Sequence, residues 1–173
     1  MELNSSDDHV SLTKDEIDIA ALTKLCGDDT AGAISSFLGV TRNTFNDKIV
    51  LHLEYEAYES MALDALQDLC HKARSQWDLK KVVIQHKLGA CPVGHTSVFI
   101  GVSSAHRNEA IKACEFIIND LKATVPIWKK EVYETKPPTN KADENESGNG
   151  NANHAVWKSN KEFQPQVPDK LLQ

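Results

Sequence analysis

Pro126 draws a hard boundary between two kinds of backbone. Ahead of it, Ser103 to Ala123 (SSAHRNEAIKACEFIINDLKA) carries apolar residues at helical spacing. No helix continues through position 126, because the proline ring would clash with the carbonyl of Lys122 and proline has no N–H to donate. Val125 is pushed toward extended geometry as well. Beyond the break, Pro126 to Tyr133 (PIWKKEVY) reads as a strand, and upstream Thr96 to Val102 (TSVFIGV) reads as another. The small residues Ser103 to Ala105 make the turn between strand and helix, with Ser103 or Ser104 as candidate cap.

The remaining pattern fits around this unit. Thr13-Lys-Asp-Glu16 has the form of a capping box and predicts a helix from about Lys14, closed by Gly27-Asp-Asp. Ala31 to Val40 suits a closely packed strand. Lys48 to Ala57 (KIVLHLEYEA) alternates as a half-buried strand should, and Tyr58 to Trp77 carries a broad apolar helical face. Lys81 to Leu88 is a further strand, while Gly89 and Pro92-Val-Gly94 mark turns. Mixed strands and helices with close-set hairpin signals predict an α+β fold rather than a doubly wound sheet. One domain is expected over 12–134, after a disordered stretch at 1–11. A flexible insertion at 135–153, rich in Pro, Asn, Gly and acidic residues, follows. Residues 154–163 then return to the domain and 164–173 form a loose tail.

Charge and composition narrow the function classes. The net charge of -6 argues against a polyanion binder, and no basic stretch interleaved with aromatics stands out. No apolar run approaches the roughly 18 residues of a membrane span. The acidic, polar MELNSSDDHV start lacks the form of a secretory signal, so the cytosol is the expected compartment. The four cysteines, Cys26, Cys70, Cys91 and Cys114, form no C-x-x-C or zinc-finger spacing. They read as free thiols, with Cys91, in a turn before Pro92, the one open to exposure. No metal or cofactor is expected. Paired-carboxylate spacing, a Gly-rich phosphate loop, H-E-x-x-H and G-x-S-x-G are all missing from the sequence.

Candidate chemistry lies at the two ends of the Ser103–Ala123 helix. His106 and Arg107 stand at its N-terminus, where free N–H groups and the dipole favour an anion and Arg adds a bidentate fork. They are equally readable as a surface pair that begins a helix. Lys122 sits in the last turn, where the dipole alone favours a cation. Lys129 and Glu131 share a strand face by period two, as a solvated ion pair or as an acid–base pair beside a site. Arg42 follows the first predicted strand. His52, Glu54, Glu56 and His86 read as polar-face strand residues.

Three segments in order, GAISSFLGVTRN, GVSSAHR and LKATVPIWKKE, resemble the large, catalytic subunit of molybdopterin synthase. The likeness covers about Gly32 to Glu131 and resumes at Trp157-Lys-Ser-Asn-Lys161. It implies an α/β hammerhead with added antiparallel strands. It also implies transfer of two sulfurs to a cyclic pyranopterin monophosphate, giving the dithiolene of molybdopterin. The sulfur donor would be the C-terminal thiocarboxylate of a small ubiquitin-like subunit whose Gly-Gly tail threads into a pocket here. A self-dimer of the large subunit would form the centre of a heterotetramer.

Position by position, the resemblance makes His106, Arg107 and Arg42 substrate-binding residues. It makes Lys122 and Lys129 catalytic and substrate-contacting, and places Lys130 and Glu131 in the substrate-contacting run. The two ends of the helix are then expected as two walls of one pocket, phosphate at one and thiocarboxylate at the other. The family's late basic residue falls on Lys161, where Arg is expected in bacterial forms, and the 135–153 insertion departs from their short turn. The competing functions are a non-catalytic adaptor for a ubiquitin-like tail and a phosphate-ester enzyme that needs no partner.

Overall fold

The computed structural model describes residues 2–4, 7–134 and 155–158. In chain order the elements are β1 (Glu2–Asn4), β2 (Asp8–Thr13), α1 (Ile19–Leu25), β3 (Ala33–Val40), β4 (Thr44–Phe45), β5 (Lys48–Ala57) and α2 (Glu59–Arg74). There follow β6 (Leu79–Lys87), β7 (Gly89–Pro92), β8 (Thr96–Ser104), α3 (Arg107–Thr124), β9 (Ile127–Tyr133) and β10 (Ala155–Lys158). One sheet has the order β1-β2-β6-β8-β3, parallel only between β2 and β6. The other runs β10-β9-β5-β4, with β7 also on β5. The α+β expectation holds.

The first sheet is covered on both faces, which explains the continuous apolar runs of its central strands. Val82 and Ile84 of β6, and Ile100 and Val102 of β8, face α2 and α3, where Leu63, Leu66, Leu69 and Ile117 fill the core. The alternate residues Val83 and Phe99 turn the other way, against Leu22 and Cys26 of the α1 segment. Each of the large buried side chains contributes about 1.5–3 kcal/mol of transfer free energy. Arg74, the last residue of α2, ties the helix to the sheet. Its Nε and Nη2 donate to Asp8 Oδ1 at 2.9 and 2.6 Å, and its Nη1 donates to the Leu79 carbonyl at 2.7 Å.

Three local expectations need correction. The first eleven residues are not all disordered: β1 lies there, and β2 begins at Asp8 and pairs in parallel with β6. That partner lies some seventy residues away, so no local pattern announces the strand. The capping-box helix does not form, because Thr13 ends β2 and accepts from Asp15 N at 3.0 Å. Helix α1 starts instead after Asp18, whose carboxylate accepts from Ala21 N at 2.9 Å. Gly89 to Pro92 is not simply a turn but β7, laid along β5. The 135–153 insertion, Lys161 and the tail lie outside the described residues.

The β4–β5 hairpin turns through Asn46 and Asp47, both in the left-handed region at φ 48° and 61°. That is the type I′ combination, which Asn and Asp tolerate best among non-glycine residues. The hairpin brings Thr44 and Phe45 into the lining of a cavity shared with β9 and the end of α3.

Candidate functional site

A cavity of about 400 Å³ opens where the C-terminal turn of α3 meets the second sheet. Phe37, Leu53, Ile118, Leu121 and Val125 supply apolar wall. Set into it are three cationic side chains, Arg42, Lys122 and Lys129, and one carboxylate, Glu131. Each is placed by a simple backbone device. Arg42 follows the end of β3, and Lys122 is on the last turn of α3. The Pro126 break converts the next residues into β9, so Lys129 and Glu131 project from one strand face.

Glu131 is 2% exposed. Its Oε1 lies 3.7 Å from Lys129 Nζ, and its Oε2 accepts from the Tyr133 hydroxyl. A carboxylate buried this far needs such partners to stay charged. Three cations against one carboxylate leave the cavity net positive, suited to an anion.

His86 lines the same cavity, though its strand position was read as a polar face. It is buried, and burial pushes its imidazole down to about 4. Its Nδ1 donates to the Lys87 carbonyl at 2.8 Å, which leaves Nε2 as the lone-pair nitrogen. A signal was available: His86 lies two and four residues beyond Ile84 and Val82, both core-facing. Tyr55, also in the wall, is held by Ser97, and burial raises its phenol. Cys91 is likewise not exposed, since Thr41 Oγ1 reaches its Sγ at 3.3 Å inside the fold.

The cavity does not contain every expected residue. His106 caps α3 and Arg107 opens it, both exposed, while Lys122 sits fifteen residues later. At 1.5 Å per residue that is about 22 Å along a rigid rod, so the two ends of the helix are not two walls of one pocket within a single chain. Ser104 Oγ accepts from His106 N at 3.2 Å, and Gly32 N donates to Ser104 O at 3.0 Å, which pins this turn to β3. Gly32 is required there because a Cβ would come within 2.4 Å of the Ala105 carbonyl oxygen. Glu109 adds a carboxylate in the first turn, one oxygen of it buried. Lys130 points away from the cavity and pairs with Glu54 at 3.5 Å. Trp128 packs edge-on against Tyr58, with centroids 5.3 Å apart. Among the described residues no group of three or more His, Cys, Asp or Glu could hold a metal ion, and no helix is long and apolar enough to cross a membrane.

Known proteins share this architecture. The profile of the family described as MoaE protein matches residues 12–124. A zebra finch (Taeniopygia guttata) protein called molybdopterin synthase catalytic subunit is 44% identical over 128 residues, covering 73% of this chain and 83% of its own. A Drosophila sechellia protein of the same description is 47% identical over 156 residues, 90% of this chain. This chain spans only 38% of that relative's length. The crystal structure of molybdopterin synthase from Staphylococcus aureus superposes with a TM-score of 0.72 at 27% identity, covering 85% of this chain and 94% of the other.

Proposed function

The chain belongs to the MoaE protein family, and on that premise we propose that it is the catalytic subunit of a molybdopterin synthase. It transfers sulfur from the C-terminal thiocarboxylate of a small ubiquitin-like subunit to cyclic pyranopterin monophosphate, forming the molybdopterin dithiolene. The carrying observation is the cavity that sets Arg42, Lys122 and Lys129 against buried Glu131 with no thiol available as sulfur source. All four cysteines are buried, which fits a sulfur that arrives on a partner.

In this reading Lys122 polarises the thiocarboxylate and stabilises the negative charge of the acyl intermediate. Lys129 and Glu131 move protons as sulfur adds and water leaves. Arg42 holds substrate at the rim. His106 and Arg107 bind the substrate phosphate, and in this reading they serve the cavity of the second copy in a self-dimer, which fits their distance of about 22 Å from Lys122 along α3. Lys130 serves from outside the cavity through its pairing with Glu54. The free thiols suit a reducing compartment, and we assign the reaction to the cytosol.

Reconstitution tests the reading. The protein is mixed with a thiocarboxylated small subunit and pyranopterin monophosphate, and dithiolene formation is followed. Product that depends on the partner and is abolished in Lys129→Ala supports it. Absence of product with the intact chain overturns it, and product formed without the partner removes the sulfur-carrier assignment.

A further inference from the structure

We propose that Tyr133 is a positioning residue whose hydroxyl aims the Glu131 carboxylate at Lys129. The proposal rests on Lys129 and Glu131 being the proton-moving pair. Lys129, Glu131 and Tyr133 are successive residues of one face of β9. Two neighbours on that face meet different oxygens of the Glu131 carboxylate: Oε2 accepts from the Tyr133 hydroxyl, and Oε1 faces Lys129 Nζ at 3.7 Å. Tyr133 is itself only 6% exposed, with Lys48 Nζ 5.4 Å from its ring centroid. The donor is therefore held in place by the fold.

The geometry has a mechanical meaning. A free carboxylate rotates about its last torsion and can offer either or both oxygens to the ammonium. A donor committed to Oε2 fixes the plane and leaves Oε1 for Lys129. It also supports the charged carboxylate in a place where water cannot. The other titratable or charged side chains facing this cavity are Tyr55 from β5, His86 from β6, Lys122 from α3 and Arg42 after β3.

The test is Tyr133→Phe, which keeps the ring and removes the donor. Lys129 is labelled with an amine-reactive reagent at fixed pH and read by peptide mass spectrometry, with Lys122 and Lys130 as internal references. Lys129 is expected to label about tenfold faster, the change corresponding to loss of one hydrogen bond to a charged group. Glu131→Gln is expected to give a similar rise, and Tyr133→Phe added to it no further change. In turnover, kcat falls by about the same factor while KM stays within about twofold.

Unchanged labelling of Lys129 in Tyr133→Phe, or effects of the two substitutions that simply add, overturns the proposal. If Tyr133→Phe fails to fold, 3-fluorotyrosine at position 133, a stronger donor, is expected to slow Lys129 labelling, and no change there is equally fatal. The labelling needs no substrate. It decides the role of Tyr133 even if the wild-type chain makes no dithiolene, which would sink the sulfur-transfer reading instead.

Discussion

The rings of Tyr55 and His86 meet edge to face, their centroids 5.0 Å apart and their planes at 74°, inside the wall of the cavity. Burial disfavours the charged imidazole. Its folded value of about 4 lies below its ordinary 6.5. The stability tied to neutral His86 is therefore complete above about pH 6.5 and is lost as pH falls toward about 4. Urea unfolding of the wild type and His86→Gln across that window should show it. The wild type loses up to about 3 kcal/mol more than the variant between pH 7 and pH 4.

Arg74 should be among the costliest polar residues to remove. Its guanidinium joins Asp8, which is 5% exposed, to the carbonyl of Leu79, so three elements share one side chain. Arg74→Ala leaves a buried carboxylate without its main partner, and the expected loss is about 3 kcal/mol. The urea midpoint should fall with an unchanged m-value. Arg74→Lys should recover only part of it, because an ammonium cannot reproduce the fork.

The thiols should be silent in the native protein. All four are buried, and burial pushes Cys26 up to about 11 and raises Cys70 and Cys114 as well. A disulfide reagent at pH 8 should therefore react at a rate set by opening of the fold, and all four cysteines should appear at once in denaturant. Fast reaction of any one thiol in the folded chain would contradict the placement of that residue.

Two inactive chains should rescue each other. Lys122→Ala damages the cavity, whereas Arg107→Ala damages a surface about 22 Å away on the same chain. In a randomly mixed self-dimer, one of four sites combines two intact halves, so activity should return to about a quarter of wild type. Each variant alone should stay near zero. Failure to rescue would assign His106 and Arg107 no role in the cavity.

Much of the frame was legible because its signals are local. Pro126 announced the end of α3, the alternation of Lys48 to Ala57 gave β5, and period two put Lys129 and Glu131 together. What escaped depends on distant partners. β2 is a strand because β6 lies beside it. Thr13 to Glu16 has the residues of a capping box, but Thr13 is already committed to that pairing. Of the candidate site, Arg42, Lys122, Lys129 and Glu131 converge, and His106, Arg107 and Lys130 do not. The failure concerning His106 and Arg107 was one of scale: helical adjacency in sequence became about 22 Å in space. Tyr55 and Ser97 were missed because a tertiary contact alone makes them polar partners, whereas the pairing of Tyr133 with Glu131 was within reach of the same period-two reading of β9.

The rod-like character of α3 also limits how this chain can vary. One residue inserted between Arg107 and Lys122 would rotate everything beyond it by about 100° and carry Lys122 out of the cavity. Seven residues would nearly restore the facing but lengthen the rod by about 10 Å. Substitutions on the outer face of α3 are therefore tolerable where length changes are not. The helix acts as a gauge, set by its residue count more than by its composition.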